Sequence, residues 1–392
     1  MPEMIPVPDA LERVLALVSP LGGEWVGLRE ARGRVMTGPA AARLSQPPFD
    51  ASAMDGYAIA GVPTPGARYR VVGASAAGHG FAGAVGTGEA VRIFTGAPVP
   101  RGADHVVIQE DVERSGEAIT VLEEAGSAPN IRPGGEDFRA GTPFAPEGPL
   151  RPEDIALLAA MGIDRVEVHR RAEVALIATG DELVMPGETP GPDQIVASNN
   201  LGLAALVEAH GGRARLLPIA RDTEAALGSA FDLAAGADLV VTIGGASVGD
   251  HDLVAGVART RGMERAFYKV AIRPGKPLMA GRLDGMPMLG LPGNPVSSMV
   301  CGHVFLLPML RAMHGLPPGP APERRATLGA PLGPNGPREH YMRARLRPEG
   351  VVAETRQDSA LLGVLAAADV LIRRPAHDPA RNAGDEVAVI DL

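Results

Sequence analysis

The most regular hydrophobic pattern of the chain is an alternation of apolar runs and amphipathic segments that begins near Pro152. Residues 174–179 form a continuous apolar run, which is typical of a strand buried on both faces. The elements predicted here are helices at 152–161, 198–210 and 223–235, and strands at 166–168, 174–179, 213–218 and 238–243. Strands that alternate with helices predict a doubly wound parallel sheet, in which ligands bind beyond the carboxyl ends of the strands.

Both flanks of this region show shorter apolar runs separated by Gly and Pro. Near the N-terminus a short amphipathic helix is predicted, and its apolar face consists of Leu11, Val14, Leu15 and Val18. Alternating runs predict the strands of a small, mainly β unit at 68–73, 90–94, 104–109 and 118–122. The C-terminal residues return to short strands and turns, which predicts a compact terminal β domain.

Composition and charge narrow the class of protein. At 392 residues, with 45% hydrophobic residues, the chain is long enough for two or more domains with cores of their own. A formal net charge of -9 and an aromatic content of 3% argue against a nucleic-acid-binding surface, which usually needs a basic face and stacking platforms. A small anionic ligand is compatible with this charge, because local groups set the field at a binding site.

Cysteine usage and the N-terminal residues predict where the protein works. Cys301 is the only cysteine, which excludes an intramolecular disulfide and a thiolate metal cluster. The first residues carry acids and prolines where a secretory signal would carry basic residues and an apolar core. No stretch is interpreted as long and apolar enough to span a bilayer. These features predict a cytoplasmic protein without a membrane partner.

Candidate chemistry is concentrated in three loops of the second half. The loop GGASVGDHD at 244–252 follows a predicted strand and ends in two carboxylates. The segment YKVAIRPGKP at 268–277 is cationic, and LPGNPVSS at 291–298 is a rigid turn that opens onto a helical pattern. Carboxylates bind hard cations, whereas cationic side chains and helix N-termini bind oxyanions. Together the three loops predict a site for phosphate and a metal ion.

Seven motifs in a fixed order resemble the molybdopterin molybdenumtransferases, a family related to the E domain of gephyrin. The motifs are PPFDASAMDGYA, RIFTGAPVP, RPGGEDF, ATGDEL, GGASVGDHD, AIRPGKP and LPGNPVSS. The resemblance covers essentially the whole chain and implies an α/β multidomain fold, in which mainly β subdomains flank a doubly wound parallel-sheet domain and a β-barrel-like domain ends the chain. The implied boundaries are 1–49 with 137–171 for a discontinuous N-terminal subdomain, 50–136 for the small β subdomain, 172–318 for the doubly wound domain and 319–392 for the C-terminal domain.

The same resemblance implies a reaction and its reactants. Members of the family insert molybdenum from molybdate into adenylylated molybdopterin and release AMP, with Mg²⁺ as the cofactor. Negative charge accumulates at both reacting groups, so positioning and electrostatic stabilisation should supply most of the catalysis. The sequence does not separate molybdate from tungstate, since the two oxyanions are alike in charge and size. The implied partners are a second copy of the chain, which shares the active site, a molybdopterin adenylyltransferase and molybdoenzyme maturation proteins.

Family positions transfer to this chain one residue at a time. For catalysis the resemblance implies Asp55, Thr95, Asp137, Glu182, Asp222, Lys269 and Arg273. For substrate binding the candidates are Gly244, Gly245, Ser247, Lys276, Pro292, Pro295, Ser297 and Ser359. For the metal they are Asp222, Asp250 and Asp252, of which magnesium usually takes only one or two.

Two positions depart from the family pattern. Arg273 stands where relatives also have lysine, and arginine prefers planar bidentate contacts, so its geometry toward an oxyanion differs. Ser359 is flanked by Asp358 and Ala360 instead of glycine and histidine, which puts its alignment and its implied molybdate contact in question.

Structural roles compete with functional ones at several positions. Asp50 and Asp181 lie in turns, where aspartate more often forms an Asx turn or caps a helix than binds a ligand. Ser297 can cap the helix that follows Pro295 and still leave backbone amides for an anion. Cys301 and His303 lie on an apolar helical segment and are predicted to be core residues, not metal ligands.

Two other functions compete with the implied one. A molybdopterin adenylyltransferase would resemble the doubly wound unit, but such proteins carry GGTG where this chain has Gly244 to Ser247, and they lack the first half. A non-catalytic scaffold of the gephyrin type would need a long linker and a fused second domain, and the sequence shows neither.

Overall fold

The computed structural model of the protein describes residues 4–245 and 253–392. Within these ranges the helices are α1 (Val7–Leu15), α2 (Leu28–Ala31), α3 (Pro152–Ala160), α4 (Asn199–Ala209), α5 (Glu224–Leu233), α6 (Leu253–Thr260), α7 (Pro295–Cys301), α8 (Leu307–Met313) and α9 (Leu362–Ala366). A 3₁₀ turn covers Gln109–Asp111, and a π-helical turn, Gly302–Leu306, joins α7 to α8.

The strands in the same ranges begin with those of the first half of the chain. They are β1 (Gly23–Gly27), β2 (Ala40–Ala41), β3 (Ala51–Ser52), β4 (Gly56–Ile59), β5 (Arg68–Ser75), β6 (Glu89–Ile93), β7 (His105–Ile108), β8 (Val112–Ser115), β9 (Ala118–Val121), β10 (Ile131–Arg132), β11 (Pro143–Phe144) and β12 (Arg165–His169). The second half adds β13 (Glu173–Ala178), β14 (Leu183–Val184), β15 (Ile195–Val196), β16 (Arg213–Leu216), β17 (Leu239–Ile243), β18 (Glu264–Lys269), β19 (Ile272–Arg273), β20 (Pro277–Leu283), β21 (Met286–Leu291), β22 (Arg324–Thr327), β23 (Glu339–Arg347), β24 (Gly350–Ala353), β25 (Val370–Arg374) and β26 (Glu386–Asp391).

The chain divides into two compact units. The large unit consists of Met1–Glu24, Gly33–Thr37 and Val168–Leu392, and the small unit consists of Trp25–Arg32 and Gly38–Glu167. The large unit therefore holds both the predicted doubly wound region and the predicted C-terminal domain, whereas the small unit holds the predicted β region of the first half. The finer division into four domains stays a prediction.

The large unit is built on a six-stranded sheet with the order β16-β13-β17-β21-β20-β18. Strands β16, β13 and β17 are parallel, as the sequence predicts. Strand β21, which was not predicted, is also parallel to β17, while β20 and β18 extend the sheet in the antiparallel sense. Alternate residues of β13 enter two separate cores: Leu176 packs with α4 and α7, and Ile177 packs with α5 and α6. The sheet is thus covered by helices on both faces, which explains the continuous apolar run at 174–179.

A second sheet of the large unit is formed by the C-terminal residues, in the order β19-β23-β25-β26-β22, with β24 also paired to β23. Strand β19 belongs to the cationic segment that precedes β20, and it pairs with β23 so that Arg273 lies opposite His340. The segment between the two sheets therefore carries residues from the central domain into the C-terminal one.

The small unit contains a six-stranded sheet with the order β7-β4-β6-β5-β9-β8. Strands β5, β6, β7 and β9 lie where alternating runs in the sequence predict them. Their inward residues form small cores around Ile59 and Ile93, both of which are fully buried. The mainly β character of this region is confirmed.

Helix α1 shows the predicted apolar face but ends earlier than predicted. The helix ends at Leu15, so Val18 lies beyond it, and its buried residues are Val7, Ala10 and Val14. They join the core that also contains α8 and β18. Leu11 and Val18 pack against the same core, so the predicted face is correct and extends to Val7 and Ala10.

The helical stretch Pro295–Met313 is long and apolar enough to cross a membrane by length and composition, contrary to the prediction from sequence. However, 89% of its apolar window is buried inside the protein. Cys301 and His303, both predicted as core residues, lie in this stretch and are buried. The hydrophobicity of the segment is accounted for by its place at the centre of the large unit.

Burial of His303 predicts a loss of stability in mild acid. Desolvation, with a smaller contribution from His210, lowers the pKa of His303 to about 4, against 6.5 for an unperturbed imidazole. Below its ordinary pKa the unfolded chain takes up a proton that the native protein does not, so stability falls as the pH drops from about 6.5 toward 4. Between about pH 7.5 and pH 5, wild type should lose about 2 kcal/mol more unfolding free energy than His303→Gln. Denaturant titrations at the two pH values measure the difference, and equal losses would contradict the prediction.

Candidate active site

A cleft of about 1210 Å³ lies in the large unit, outside the carboxyl ends of three neighbouring strands. Thr179 and Gly180 follow β13 directly, Gly244 and Gly245 follow β17, and Pro292 follows β21. The other lining residues include Glu182, Leu183, Ile195, Val196, Ser198, Asn199, Asn200, Asp222, Leu253, Pro277, Gly293, Asn294, Pro295 and Ala360. We call this site the acidic cleft, and its position is the one that open α/β sheets use for ligands.

Three carboxylates lie close together at the acidic cleft. The Asp181 Oδ1 accepts a hydrogen bond of 3.1 Å from the backbone N of Asp222, so this side chain links two loops instead of capping its own turn. Partial desolvation, and then the charges of Asp181 and Glu182, raise the pKa of Asp222. Crowded carboxylates repel one another, and a cation among them relieves that repulsion. The structure thus brings together Glu182 and Asp222, two of the predicted site residues.

Gly244 and Gly245 allow a close approach of neighbouring chain segments at the acidic cleft. Their φ angles of 93° and 64° lie in the left-handed region that favours glycine. A Cβ at Gly244 would lie 2.8 Å from the Thr179 carbonyl oxygen, and one at Gly245 would lie 2.4 Å from the Val254 Cγ2. The end of β17 can therefore approach the loop after β13 only because these two positions have no side chain.

Two helix N-termini face the acidic cleft. Helix α4 begins at Asn199, and α7 begins at Pro295. The Asn199 Nδ2 donates to the Gly293 carbonyl at 2.8 Å, which holds the two helix starts together. In α7 the backbone N of Val296 already donates to the Ser359 carbonyl at 3.0 Å. Unpaired amides and the helix dipole favour anions, so partial positive charge lies beside the carboxylates.

A second pocket of about 520 Å³ lies in the C-terminal part of the large unit. Its lining includes Arg273, Asn335, His340, Thr355, Gln357, Asp358 and Arg374. Arg374 is paired with Asp378. Burial, and then a set of nearby arginines led by Arg273, lower the pKa of His340 to about 3. Burial is the larger cause, and the arginine charges act in the same direction; we call this site the arginine pocket.

Arg343 lies on β23, next to residues that line the arginine pocket, and its side chain is fully buried. Its Nη2 donates to the Asp358 carbonyl at 3.0 Å, but its Nε and Nη1 have no hydrogen-bond partner among the described residues. Burial, and then the charge of Arg273, lower the pKa of Arg343. A buried guanidinium with free N–H groups is costly unless an anion pairs with it. Arg343 itself does not line the arginine pocket; it contacts the pocket through Asp358, and its two unpaired N–H groups are closed off from solvent.

Two chain segments connect the arginine pocket to the acidic cleft. The segment 273–277 has Arg273 in the pocket and Pro277 in the cleft. The segment 358–360 has Asp358 in the pocket and Ala360 in the cleft. Each spans at most five residues, so the two sites lie within roughly 17 Å of each other along the backbone.

Other predicted residues of the large unit have mixed placements. Lys269 is buried at the end of β18, where it pairs in register with the cleft residue Pro277. Lys276 is exposed, and Ser297 is buried within α7; neither lines the two sites as far as the structure describes them. Ser359 contributes its carbonyl to the start of α7. Of the cationic segment, Pro277 lines the acidic cleft and Arg273 lines the arginine pocket.

The predicted residues of the small unit form a separate group. Both the backbone N and the Oγ1 of Thr95 donate to the Asp55 Oδ1 at 2.7 Å. These two bonds are the main reason that the pKa of Asp55 is lowered, so its carboxylate is ionised at neutral pH. Asp137 is exposed, and its backbone N donates to the Gln46 carbonyl at 3.0 Å. Asp50 accepts from the backbone N of Gly134 at 2.8 Å, a structural contact.

Several predicted residues lie outside the described part of the chain. They are Ser247, Asp250 and Asp252, together with most of the GGASVGDHD loop. Among the described residues, no group of three or more His, Cys, Asp or Glu side chains could hold a metal ion. The metal assignment to Asp222, Asp250 and Asp252 stays a prediction.

Sequence reasoning missed residues that the structure brings to the two sites. Ser198, Asn199 and Asn200 line the acidic cleft at the start of α4, where the run SNN before an apolar helix is a recognisable N-terminal signal. Arg343 had no such signal, since it is one of several arginines in an alternating strand. Its burial is a property of the folded C-terminal sheet.

The fold defines the class of protein: a multidomain α/β protein with an acidic cleft and an arginine pocket in its large unit. Family models match three successive parts of the chain. They are the MoeA N-terminal region (domain I and II) at residues 5–162, the probable molybdopterin binding domain at 175–312, and the MoeA C-terminal region (domain IV) at 325–392.

Individual relatives match over most of the chain. Molybdopterin molybdenumtransferase 2 of Mycobacterium tuberculosis is 38% identical over 382 residues, which cover 94% of each chain. The molybdopterin molybdenumtransferase of a Nostoc species is 37% identical over 308 residues, covering 76% of this chain and 70% of that one. The crystal structure of the molybdopterin biosynthesis MoeA protein of Pyrococcus horikoshii OT3 matches with a TM-score of 0.85 and 27% identity, covering 100% of both chains.

The chain belongs to the molybdopterin molybdenumtransferase (MoeA) family, and with it to the transferases of molybdenum cofactor biosynthesis. The resemblance seen in the sequence motifs and the predicted fold class are both confirmed. The match extends across residues 5–162, the half that an adenylyltransferase was expected to lack.

Proposed function

We propose that the protein inserts molybdenum from molybdate into adenylylated molybdopterin and releases AMP. The substrate carries a pyrophosphate between molybdopterin and AMP, and molybdate is a second anion that must approach it. The two neighbouring sites of the large unit suit this pair: the acidic cleft for the pyrophosphate with its counter-ion, and the arginine pocket for the free oxyanion. Tungstate would fit the same donors.

The observation that carries this proposal is the state of Arg343. Buried cations are normally paired, and this one keeps Nε and Nη1 free of hydrogen bonds within the described chain. Arg273 adds a second positive charge close by. Burial and the charge of Arg273 both lower the pKa of Arg343. A tetrahedral dianion placed between them would satisfy the donors and offset the repulsion. Arginine suits this task because its planar fork binds oxyanions in a bidentate way.

A divalent cation fits the acidic cleft through the chemistry of the carboxylates. Glu182 and Asp222 line the cleft, and the charges around Asp222 already raise its pKa. Magnesium takes one or two protein carboxylates and fills its other positions with phosphate oxygens and water, so these two side chains are sufficient. When bound, it would neutralise charge on the pyrophosphate oxygens.

The residues of the chain supply binding and orientation for the bond changes. Water adds across the phosphoanhydride bond, which releases AMP and leaves a phosphate on molybdopterin. Molybdenum exchanges an oxygen ligand, which leaves as water with the two dithiol protons, for the two dithiolene sulfurs. The N-termini of α4 and α7 would stabilise the charge that develops on the phosphates. Arg273 and Arg343 would hold molybdate at the adjoining position, so that both events occur along one bound substrate.

The proposal also includes a dimer and a cellular setting. Asp55 and Thr95 present an ionised, rigidly held carboxylate in the small unit, and we expect it to complete the site of a second copy of the chain. The adenylylated substrate would come from a molybdopterin adenylyltransferase in the cytoplasm. The product would pass to proteins that mature molybdoenzymes.

Metal removal tests the proposed reaction. Wild type supplied with adenylylated molybdopterin and molybdate should release AMP only when Mg²⁺ is present, since the pyrophosphate charge is otherwise unopposed beside Glu182 and Asp222. Chelation should stop AMP release and leave the circular dichroism spectrum unchanged, and added Mg²⁺ should restore it. Continued AMP release after verified metal removal would contradict the metal part of the proposal; no AMP under any condition would contradict the reaction.

A further inference from the structure

An exposed aliphatic surface borders the acidic cleft. Strands β14 and β15 form a short parallel pair in which Leu183 lies opposite Ile195, so their side chains share one face. Ile195 is 58% exposed, and Val196 is 40% exposed. Leu183, Ile195 and Val196 all line the cleft, but Val196 follows Ile195 in the strand and shares the opposite face with Val184. We call Leu183 and Ile195 the aliphatic platform.

The platform is held rigidly next to a predicted catalytic residue. The backbone N of Ile195 donates to the carbonyl of Glu182 at 2.8 Å, and that of Ala197 donates to the carbonyl of Val184 at 2.9 Å. Ile195 is β-branched, which restricts its rotamers. The aliphatic surface is therefore fixed in position relative to the carboxylates of the cleft, as a binding wall requires.

Exposed aliphatic side chains at the rim of a polar cleft need an explanation of their own. The centre of the acidic cleft is occupied by carboxylates, asparagines and helix N-termini, which suit the charged middle of the substrate. That middle has a flat nitrogen heterocycle at each end, adenine on one side and pterin on the other. Such rings gain most from a flat apolar wall with polar groups near their edges. The platform offers an apolar surface within the same cleft as the carboxylates and asparagines.

We propose that Leu183 and Ile195 bind a flat heterocyclic ring of the substrate, adenine or pterin, against the acidic cleft. This inference rests on the proposed function for the identity of the occupant. It makes Ile195 a specificity-determining residue with no part in the bond changes. Since Ile195 is exposed, its replacement should leave the fold intact.

Replacement of Ile195 by Ser tests the platform, with Met185→Ser as the matched control. Met185 is 43% exposed and follows β14, but it is outside the described lining of the cleft. Two quantities are measured: the Kd of AMP by calorimetry, without turnover, and the KM and kcat for adenylylated molybdopterin. Ile195→Ser should weaken one of the two affinities about tenfold and leave kcat within about twofold of wild type, while Ile195→Val and Met185→Ser behave like wild type.

The two measurements identify the ring and separate this inference from the reaction. A weaker Kd for AMP assigns adenine to the platform; an unchanged Kd with a raised KM assigns pterin. An active wild type with neither value changed in Ile195→Ser would overturn the platform alone. A wild type that releases no AMP would overturn the reaction, while the Kd of AMP would still report on adenine binding.

Discussion

Replacement of Arg343 by Met is expected to abolish most molybdate-dependent AMP release without harming the fold. The Nε and Nη1 of Arg343 are two of the buried polar atoms that have no hydrogen-bond partner among the described residues. Loss of one preorganised donor to a developing or bound anion typically lowers the rate by roughly 10²–10³. Rates with saturating adenylylated molybdopterin and varied molybdate measure the effect, and most of it should be an increase in the molybdate KM if Arg343 binds the ground-state anion.

Stability distinguishes this role from a structural one. A buried charge that lacks partners destabilises the protein, so an apolar side chain of similar length should leave the unfolding free energy unchanged or higher. Arg345→Met is the matched control, because Arg345 lies on the same strand but is paired with Glu354. The control should retain activity. A strongly destabilised Arg343→Met, or one with normal molybdate KM and kcat, would show that Arg343 serves the fold and not the oxyanion.

Mixed dimers of two inactive variants are expected to recover activity. Asp55→Ala removes the carboxylate held by Thr95 in the small unit, and Asp222→Ala removes the crowded carboxylate of the acidic cleft. Each homodimer should be nearly inactive. If each site takes Asp55 from one copy and Asp222 from the other, one site of the mixed dimer contains both replacements. The other site contains neither. It should then work at roughly half the wild-type rate.

The experiment uses co-expressed chains with two different tags, purified through both. Two differently tagged Asp55→Ala chains serve as the control and should stay inactive. A mixed dimer with no recovered AMP release, once its formation is verified, would mean that each site draws on one chain only. That outcome would leave the reaction and the arginine pocket untouched.

The architecture of the central domain could be predicted because local pattern and tertiary environment agree there. Residues 174–179 are apolar without interruption, and β13 is indeed covered on both faces. The antiparallel strands β18 and β20 were missed, since their residues carry both the cationic motif and a strand pattern. The apolar stretch at 295–313 could not be assigned from composition, because a buried core helix and a membrane span have similar length and hydropathy.

The candidate site was only partly predictable for a similar reason. Glu182, Asp222 and the two glycines lie in loops that follow strands, and the fold brings such loops together. Arg343 is different, because the sequence around it alternates arginine with apolar residues and is typical of a half-exposed strand. Only the packing of β23 against its neighbours buries that guanidinium. Charges that become functional through burial leave no local motif.

Anomalous diffraction at the molybdenum absorption edge, from crystals of the wild type soaked in molybdate, tests the central claim most directly. The account predicts one strong peak in the arginine pocket, within hydrogen-bonding distance of Arg343 and close to Arg273, and its absence in Arg343→Met crystals. A molybdenum peak in the acidic cleft beside Asp222, or equal peaks in wild type and variant, would contradict the division of the active site into an acidic cleft for the pyrophosphate and an arginine pocket for the oxyanion.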